Sequence, residues 1–112
     1  LNFLVALRIL YELLNNAKEL LKDEMGNISF TTWINPLEIK EMTDKRITLL
    51  VSSTFQKDVI EKKYLDLIKN TFKYLTNKDY EVKLLDNDED YTPRYEEQLK
   101  EMIIRMDKRK NV

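Results

Sequence analysis

Two rhythms of apolar residues alternate along this chain of 112 residues. From about Leu4 to Met25 the apolar positions recur at spacings of three and four, which is typical of one face of an amphipathic helix. Gly26 follows, at the place where helices often end in a left-handed conformation. The first turns are apolar on more than one side, so we expect them either to pack under other elements or to pair with another chain.

Residues 29–37, with the sequence SFTTWINPL, separate this helical pattern from an alternating one. Ser29 is a typical N-cap residue, and Pro36 prevents a helix from continuing. Phe30 and Trp33 lie three positions apart and so share one face of a short helix. We therefore predict a short capped helix whose aromatic residues fill the core.

The next residues predict two strands and a third helix. Residues 37–42 alternate, 43–45 form a polar turn, and 46–52 form the stronger strand. Ser53 and Gln56 form a capping box, which predicts that one continuous helix starts there and ends near Thr76 and Asn77. The alternating residues from Tyr80 to Leu84 predict a third strand.

The order of elements predicts an α+β domain in which a three-stranded sheet is covered by helices. Apolar residues make up 43% of the chain, enough for one modest core. We place the domain at residues 1–85, an acidic linker at 86–93, and an amphipathic C-terminal helix or tail at 94–112. We expect that last segment to dock on the domain, to pair with a partner helix or to fray.

The composition excludes most kinds of catalytic site. Cysteine and histidine are absent and there is a single glycine, so disulfides, thiolate metal sites and glycine-rich phosphate loops cannot form. Asp86, Asp88 and Asp90 have the spacing of a calcium loop, but Tyr91 occupies the position that needs glycine. We therefore predict a non-enzymatic protein without a cofactor or a metal site.

Charge and hydropathy set few limits on partners. The 19 basic and 20 acidic residues nearly cancel. The apolar N-terminus is interrupted by Arg8 and Glu12, which makes it too short to span a bilayer. We expect a cytoplasmic protein that does not bind membranes.

Three motifs in this order resemble the N-terminal domain of the bacterial replication initiator DnaA: SFTTWINPL, then F-x-K-D-x-I, then KYLDLIKN. The resemblance extends from about Leu13 to Leu85. The matching positions are Phe30, Trp33, Pro36, Leu37, Phe55, Asp58, Val59, Ile60, Tyr64, Leu65 and Ile68.

The resemblance implies a KH-like fold of the order α-α-β-β-α-β, with an extra C-terminal helix in this chain. It also implies a protein-interaction role in chromosome or plasmid replication initiation, through self-association and contact with the replicative helicase, the initiator or a regulator. Phe55 matches the phenylalanine that contacts the helicase in this family. Phe30, Trp33, Leu37, Tyr64 and Ile68 are expected to form the structural core.

Several positions depart from the family pattern. Leu14 replaces the aromatic residue that often mediates self-association, Ser29 replaces an acidic residue, and Ser52-Ser53 replaces Pro-Asn. After Leu85 the sequence does not resemble the start of an ATPase domain, so we expect a stand-alone relative of the initiator's N-terminal domain.

We therefore carry three hypotheses. In the first, the chain is an interaction module that binds its partner through Phe55 and Gln56, flanked by Leu10 and Leu14 of the first helix. In the second, it is a small KH-like binder of single-stranded nucleic acid that uses Lys62, Lys63 and Lys69, although it lacks the Gly-x-x-Gly loop of KH domains. In the third, it is a structural homodimer in which the N-terminal turns and the final helix of two chains bury one another.

Overall fold

The computed structural model describes residues 2–86 and 101–106. Its elements are α1 (Phe3–Met25), α2 (Asn27–Ser29), a π-helical turn (Phe30–Ile34), β1 (Glu38–Met42), β2 (Arg46–Val51), α3 (Thr54–Lys63), α4 (Leu65–Thr76) and β3 (Glu81–Asp86). Residues 101–106 are helical. The predicted α+β class is confirmed, with a three-stranded sheet, helices packed against it and a C-terminal helix. Residues 87–93 of the predicted linker, and residues 94–100 and 107–112 of the predicted tail, lie outside the described residues.

The long first helix has the extent that its periodicity predicts. The Asn2 side chain caps its start by accepting a hydrogen bond from the Val5 N–H at 2.9 Å. The helix stops at Gly26, whose φ of 84° suits a residue without a Cβ atom. Its buried residues follow the predicted spacing and are Leu7, Leu14, Ala17 and Leu21.

The predicted N-cap at Ser29 is wrong. Helical backbone already begins at Asn27, directly after Gly26, so Ser29 lies inside the helical segment with φ −64° and ψ −41° and makes no capping hydrogen bond. In the π-helical turn that follows, the Asn35 N–H donates to the Phe30 carbonyl across five residues at 2.9 Å. The turn widens the helix just before Pro36 ends it.

The sheet has the strand order β1-β2-β3, with β2 in the centre. β1 and β2 pair antiparallel with a bulge between Ile39 and Glu41, whereas β2 and β3 pair parallel. One face of the sheet contributes to the hydrophobic core through Ile39, Ile47, Leu49, Val51, Val82 and Leu84.

The predicted continuous third helix is kinked at Tyr64. Tyr64 has φ −124° and ψ −5°, which separates α3 from α4. Neither glycine nor proline stands there, so no local signal marks the kink. Both halves contact β3, but their other neighbours differ, because α3 also contacts β2 and the π-helical turn whereas α4 packs mainly on α1. A kink lets each half turn its apolar face toward its own neighbours.

Candidate protein-interaction surface

The start of α3 is fixed by the capping box that the sequence predicts. The Ser53 hydroxyl oxygen accepts a hydrogen bond from the Gln56 N–H at 3.2 Å. In return, the Gln56 side-chain oxygen accepts from the Ser52 N–H at 3.1 Å. One backbone donor of the first helical turn, and the Ser52 N–H just before the N-cap, thereby gain hydrogen-bond partners. Phe55 lies inside this turn, so its backbone position is fixed.

The Gln56 amide also joins α3 to the π-helical turn. Its Nε2 donates to the Thr32 carbonyl oxygen at 3.2 Å. The Thr32 hydroxyl in turn donates to the Ile28 carbonyl oxygen at 2.8 Å. A chain of hydrogen bonds therefore runs from the first turn of α3 to α2, between segments that are far apart in sequence.

Phe55 is exposed over 68% of its surface, although it is large and apolar. Its ring contacts the ring of Trp33, with centroids 5.8 Å apart and planes inclined at 52°. This geometry is typical of favourable aromatic pairs. Trp33 itself is half-buried and packs against the hydrophobic core. The exposed phenylalanine therefore rests on an aromatic ring that the core supports.

Ile28 lies on the same hydrogen-bonded segment and is exposed over 85% of its surface. Sequence reasoning assigned it no role, because it stands between the end of α1 and the aromatic residues and fits neither periodic pattern. We call Ile28, Trp33, Phe55 and Gln56 the Phe55 surface. Three apolar side chains and one polar side chain suit contact with a protein rather than with a small ligand.

The structure corrects one predicted member of this surface. Leu14 is buried in the hydrophobic core, so it cannot contact a partner as predicted. Its place in the 3–4 pattern of α1 turns it toward the sheet and helices instead of solvent. Leu10 is half-buried and packs against the core. Neither residue belongs to the Phe55 surface.

The residues expected to form the structural core all lie in it or against it. Phe30, Leu37 and Ile68 are buried. Trp33 and Tyr64 are half-buried and pack against the core cluster. Trp33 therefore reaches both the core and the surface, which the sequence-based expectation of a wholly buried plug did not include.

The three lysines proposed to contact nucleic acid are exposed. Lys62 and Lys63 lie in the last turn of α3, where positive charge is favoured by the helix dipole, and Lys69 lies in α4. They do not adjoin a glycine-rich loop, since the single glycine is at the end of α1. Their exposure is compatible with a weak electrostatic contact and equally with an ordinary solvated face.

Among residues 2–86 and 101–106, no three acidic side chains cluster in a way that could hold a metal ion. In the same part of the chain, no helix is long and apolar enough to cross a membrane.

The fold and the Phe55 surface together define a small α+β domain with an exposed aromatic contact site. A model of the family described as the DnaA N-terminal domain matches residues 12–74. Because the match covers more than half of the 112 residues, the chain belongs to this family. Membership points to a protein-interaction module of replication initiation, and the family domain is non-catalytic. The match runs from Glu12 in α1 to Tyr74 in α4, so β3 and the helix at 101–106 lie outside it.

Proposed function

We propose that this chain binds a replicative helicase, or an initiator or regulator protein, through the Phe55 surface. The observation that carries the proposal is the exposure of Phe55 in a helical turn whose position is fixed by hydrogen bonds. Removing an exposed aromatic ring from water is favourable, so a partner that covers the ring gains the free energy of its burial.

The arrangement favours a rigid contact. Phe55 rests on Trp33, and Gln56 holds the α3 turn to the π-helical turn, so little side-chain freedom remains to be lost when a partner binds. Large aromatic residues with few rotatable bonds dominate the binding energy of many interfaces. The proposed site thus has an anchor, Phe55, and a support, Trp33.

The family assignment supports a partner from replication initiation, because the matched residues include the whole π-helical turn and α3. The proposed role is recruitment of the helicase or competition with the initiator for shared partners. A compact apolar patch with one amide group fits a protein surface that offers an apolar pocket and a polar rim.

Substitution of Phe55 tests the proposal. Phe55→Ala should preserve the fold, since the side chain is mostly exposed, but should weaken capture of the purified helicase or initiator by about 2 kcal/mol or more. Phe3→Ala is the matched control, because it removes another exposed phenylalanine from a different part of the molecule. Circular dichroism would verify the fold of both variants. Unchanged capture of both partners by Phe55→Ala would contradict the proposal.

A further inference from the structure

A buried carboxylate ends the strand β3. Asp86 is the last residue of this strand and is only 4% exposed, and among residues 2–86 and 101–106 it is the only buried charged residue. Val82 and Leu84, which precede it on the same face of β3, are apolar and belong to the hydrophobic core. An acidic residue therefore stands where the alternation of the strand would place an apolar one. Burial of a carboxylate is unfavourable unless hydrogen bonds compensate for the lost water.

Asp86 contacts the first turn of α3. Its Oδ2 atom accepts a hydrogen bond from the Thr54 hydroxyl at 2.9 Å. Its backbone is in register with Val51, the last residue of β2. Residues 52 and 53 connect β2 to α3, so Asp86 contacts the chain on both sides of this connection.

The negative charge of Asp86 suits its place beside α3. The first turn of this helix contains no acidic residue of its own. A carboxylate beside a helix N-terminus interacts favourably with the unpaired N–H groups and with the helix dipole. The strand β3 thus supplies the negative charge that the first turn of α3 lacks.

Phe55 lies between two residues that are tied to different parts of the fold. Thr54 before it is hydrogen-bonded to Asp86 on β3, and Gln56 after it is hydrogen-bonded to the π-helical turn. Residues two positions apart on a helix lie about 200° apart around its axis, so these bonds hold nearly opposite sides of one turn. Together they fix the rotation of the turn, and this rotation decides whether the Phe55 ring reaches Trp33.

We propose that Asp86 is a positioning residue for the Phe55 surface. Through Thr54 it sets the rotation of the first turn of α3 and thereby holds Phe55 against Trp33, in the orientation that a partner protein meets. The partner's part in this proposal rests on the function proposed above, whereas the effect on the ring contact does not. Asp86 lies outside the family match at residues 12–74. A purely stabilising role would not require a carboxylate, since apolar residues often replace buried charges without loss of stability.

The fluorescence of Trp33 tests the positioning without a partner. Thr54→Val and Asp86→Leu each remove the hydrogen bond. Both should therefore expose the Trp33 ring and shift its emission toward that of Phe55→Ala, in which the ring contact is lost. Asp86→Asn keeps an oxygen that can accept from Thr54, so its emission should match that of the unaltered chain.

Thr54→Val gives the answer even if Asp86→Leu fails to fold, because Thr54 is exposed. Unchanged emission in Thr54→Val would overturn the proposal. A shift in Asp86→Asn as large as that in Thr54→Val would also overturn it, because the hydrogen bond would then not set the ring contact.

Capture of the purified helicase or initiator tests the consequence for binding. Asp86→Leu and Thr54→Val should each weaken capture about fivefold. The double variant should weaken it no further, because both changes remove the same hydrogen bond. Leu84→Ala is the control, since it removes apolar contacts from the same face of β3. It should lower the unfolding free energy and leave capture by the folded protein unchanged.

Additive losses of capture in the double variant, or an equal loss in Leu84→Ala, would overturn the proposal. The function proposed above fails separately, when Phe55→Ala leaves capture unchanged. In that case the emission of Trp33 alone decides whether Asp86 positions the ring.

Discussion

The side-chain amide of Gln56 donates a hydrogen bond to the backbone carbonyl of Thr32 at 3.2 Å, while its oxygen accepts from Ser52. One side chain thus caps α3 and joins that helix to the π-helical turn. The Trp33–Phe55 ring contact lies across the same junction. The geometry of the aromatic pair should therefore depend on Gln56.

Two substitutions separate the two hydrogen bonds of Gln56. A carboxylate at this position can still accept from Ser52 but has no hydrogen to donate to Thr32. We expect Gln56→Glu to cost about 1 kcal/mol of unfolding free energy, and Gln56→Leu, which loses both bonds, to cost about twice as much. Urea denaturation measures the cost, and the fluorescence of Trp33, the single tryptophan, reports on the ring contact. Equal effects of both substitutions would show that the Ser52 bond contributes nothing, and an unchanged stability of Gln56→Glu would show the same of the Thr32 bond.

The charged side chain of Lys18 should stabilise the folded state through its hydrogen bonds. Its ammonium group donates to the carbonyl oxygens of Asn35 at 2.8 Å and Leu37 at 2.7 Å, where the chain passes from the π-helical turn into β1. Lys18→Met keeps the aliphatic stem but removes both donors, so we expect a loss of about 1–3 kcal/mol in unfolding free energy.

Lys22→Met is the control for Lys18→Met, because Lys22 is exposed one turn further along α1. The denaturant midpoint of Lys18→Met should be clearly lower than that of Lys22→Met. If both substitutions changed the unfolding free energy equally, the hydrogen bonds from Lys18 to the two carbonyl groups would contribute nothing to stability.

A third prediction concerns Thr48, which is buried on the central strand β2. Its hydroxyl oxygen has no hydrogen-bond partner within the part of the chain that the structure describes. Valine has nearly the same shape without the unpaired polar atom and favours strands. Thr48→Val should therefore raise the unfolding free energy by about 1 kcal/mol.

Thr71→Val provides the matched comparison in calorimetry or urea denaturation. The Thr71 hydroxyl donates to the Leu67 carbonyl at 2.8 Å, so its removal should bring no such gain. A loss of stability in Thr48→Val would mean that the hydroxyl of Thr48 has a partner in solution.

Sequence reasoning succeeded where the signal is local. The 3–4 spacing of α1, the glycine at its end and the capping box at Ser53 are each determined by neighbouring residues. The alternating residues of β1 and β3 likewise predicted strands that bury one face, whereas the central strand β2 is buried on both faces from Ile47 to Val51.

The features that the sequence did not predict arise from tertiary contacts. Nothing near Tyr64 signals a kink, which depends on the different neighbours of α3 and α4. The π-helical turn and the exposure of Ile28 depend on how α2 joins α1. Phe55 was predicted from the family resemblance, but its contact with Trp33 joins two segments that only the fold brings together.

The nucleic-acid hypothesis yields a quantitative prediction for Lys62, Lys63 and Lys69. If these three exposed lysines neutralise three phosphates of a single strand, the logarithm of the association constant should fall with the logarithm of salt concentration with a slope of roughly −2. Fluorescence anisotropy of a labelled strand at several salt concentrations measures this slope. Replacing all three by glutamate should abolish binding, whereas Phe55→Ala should leave it unchanged. If the chain does not bind the strand at low salt, the three lysines do not form a nucleic-acid site. The Phe55 surface is then the better candidate for the functional site.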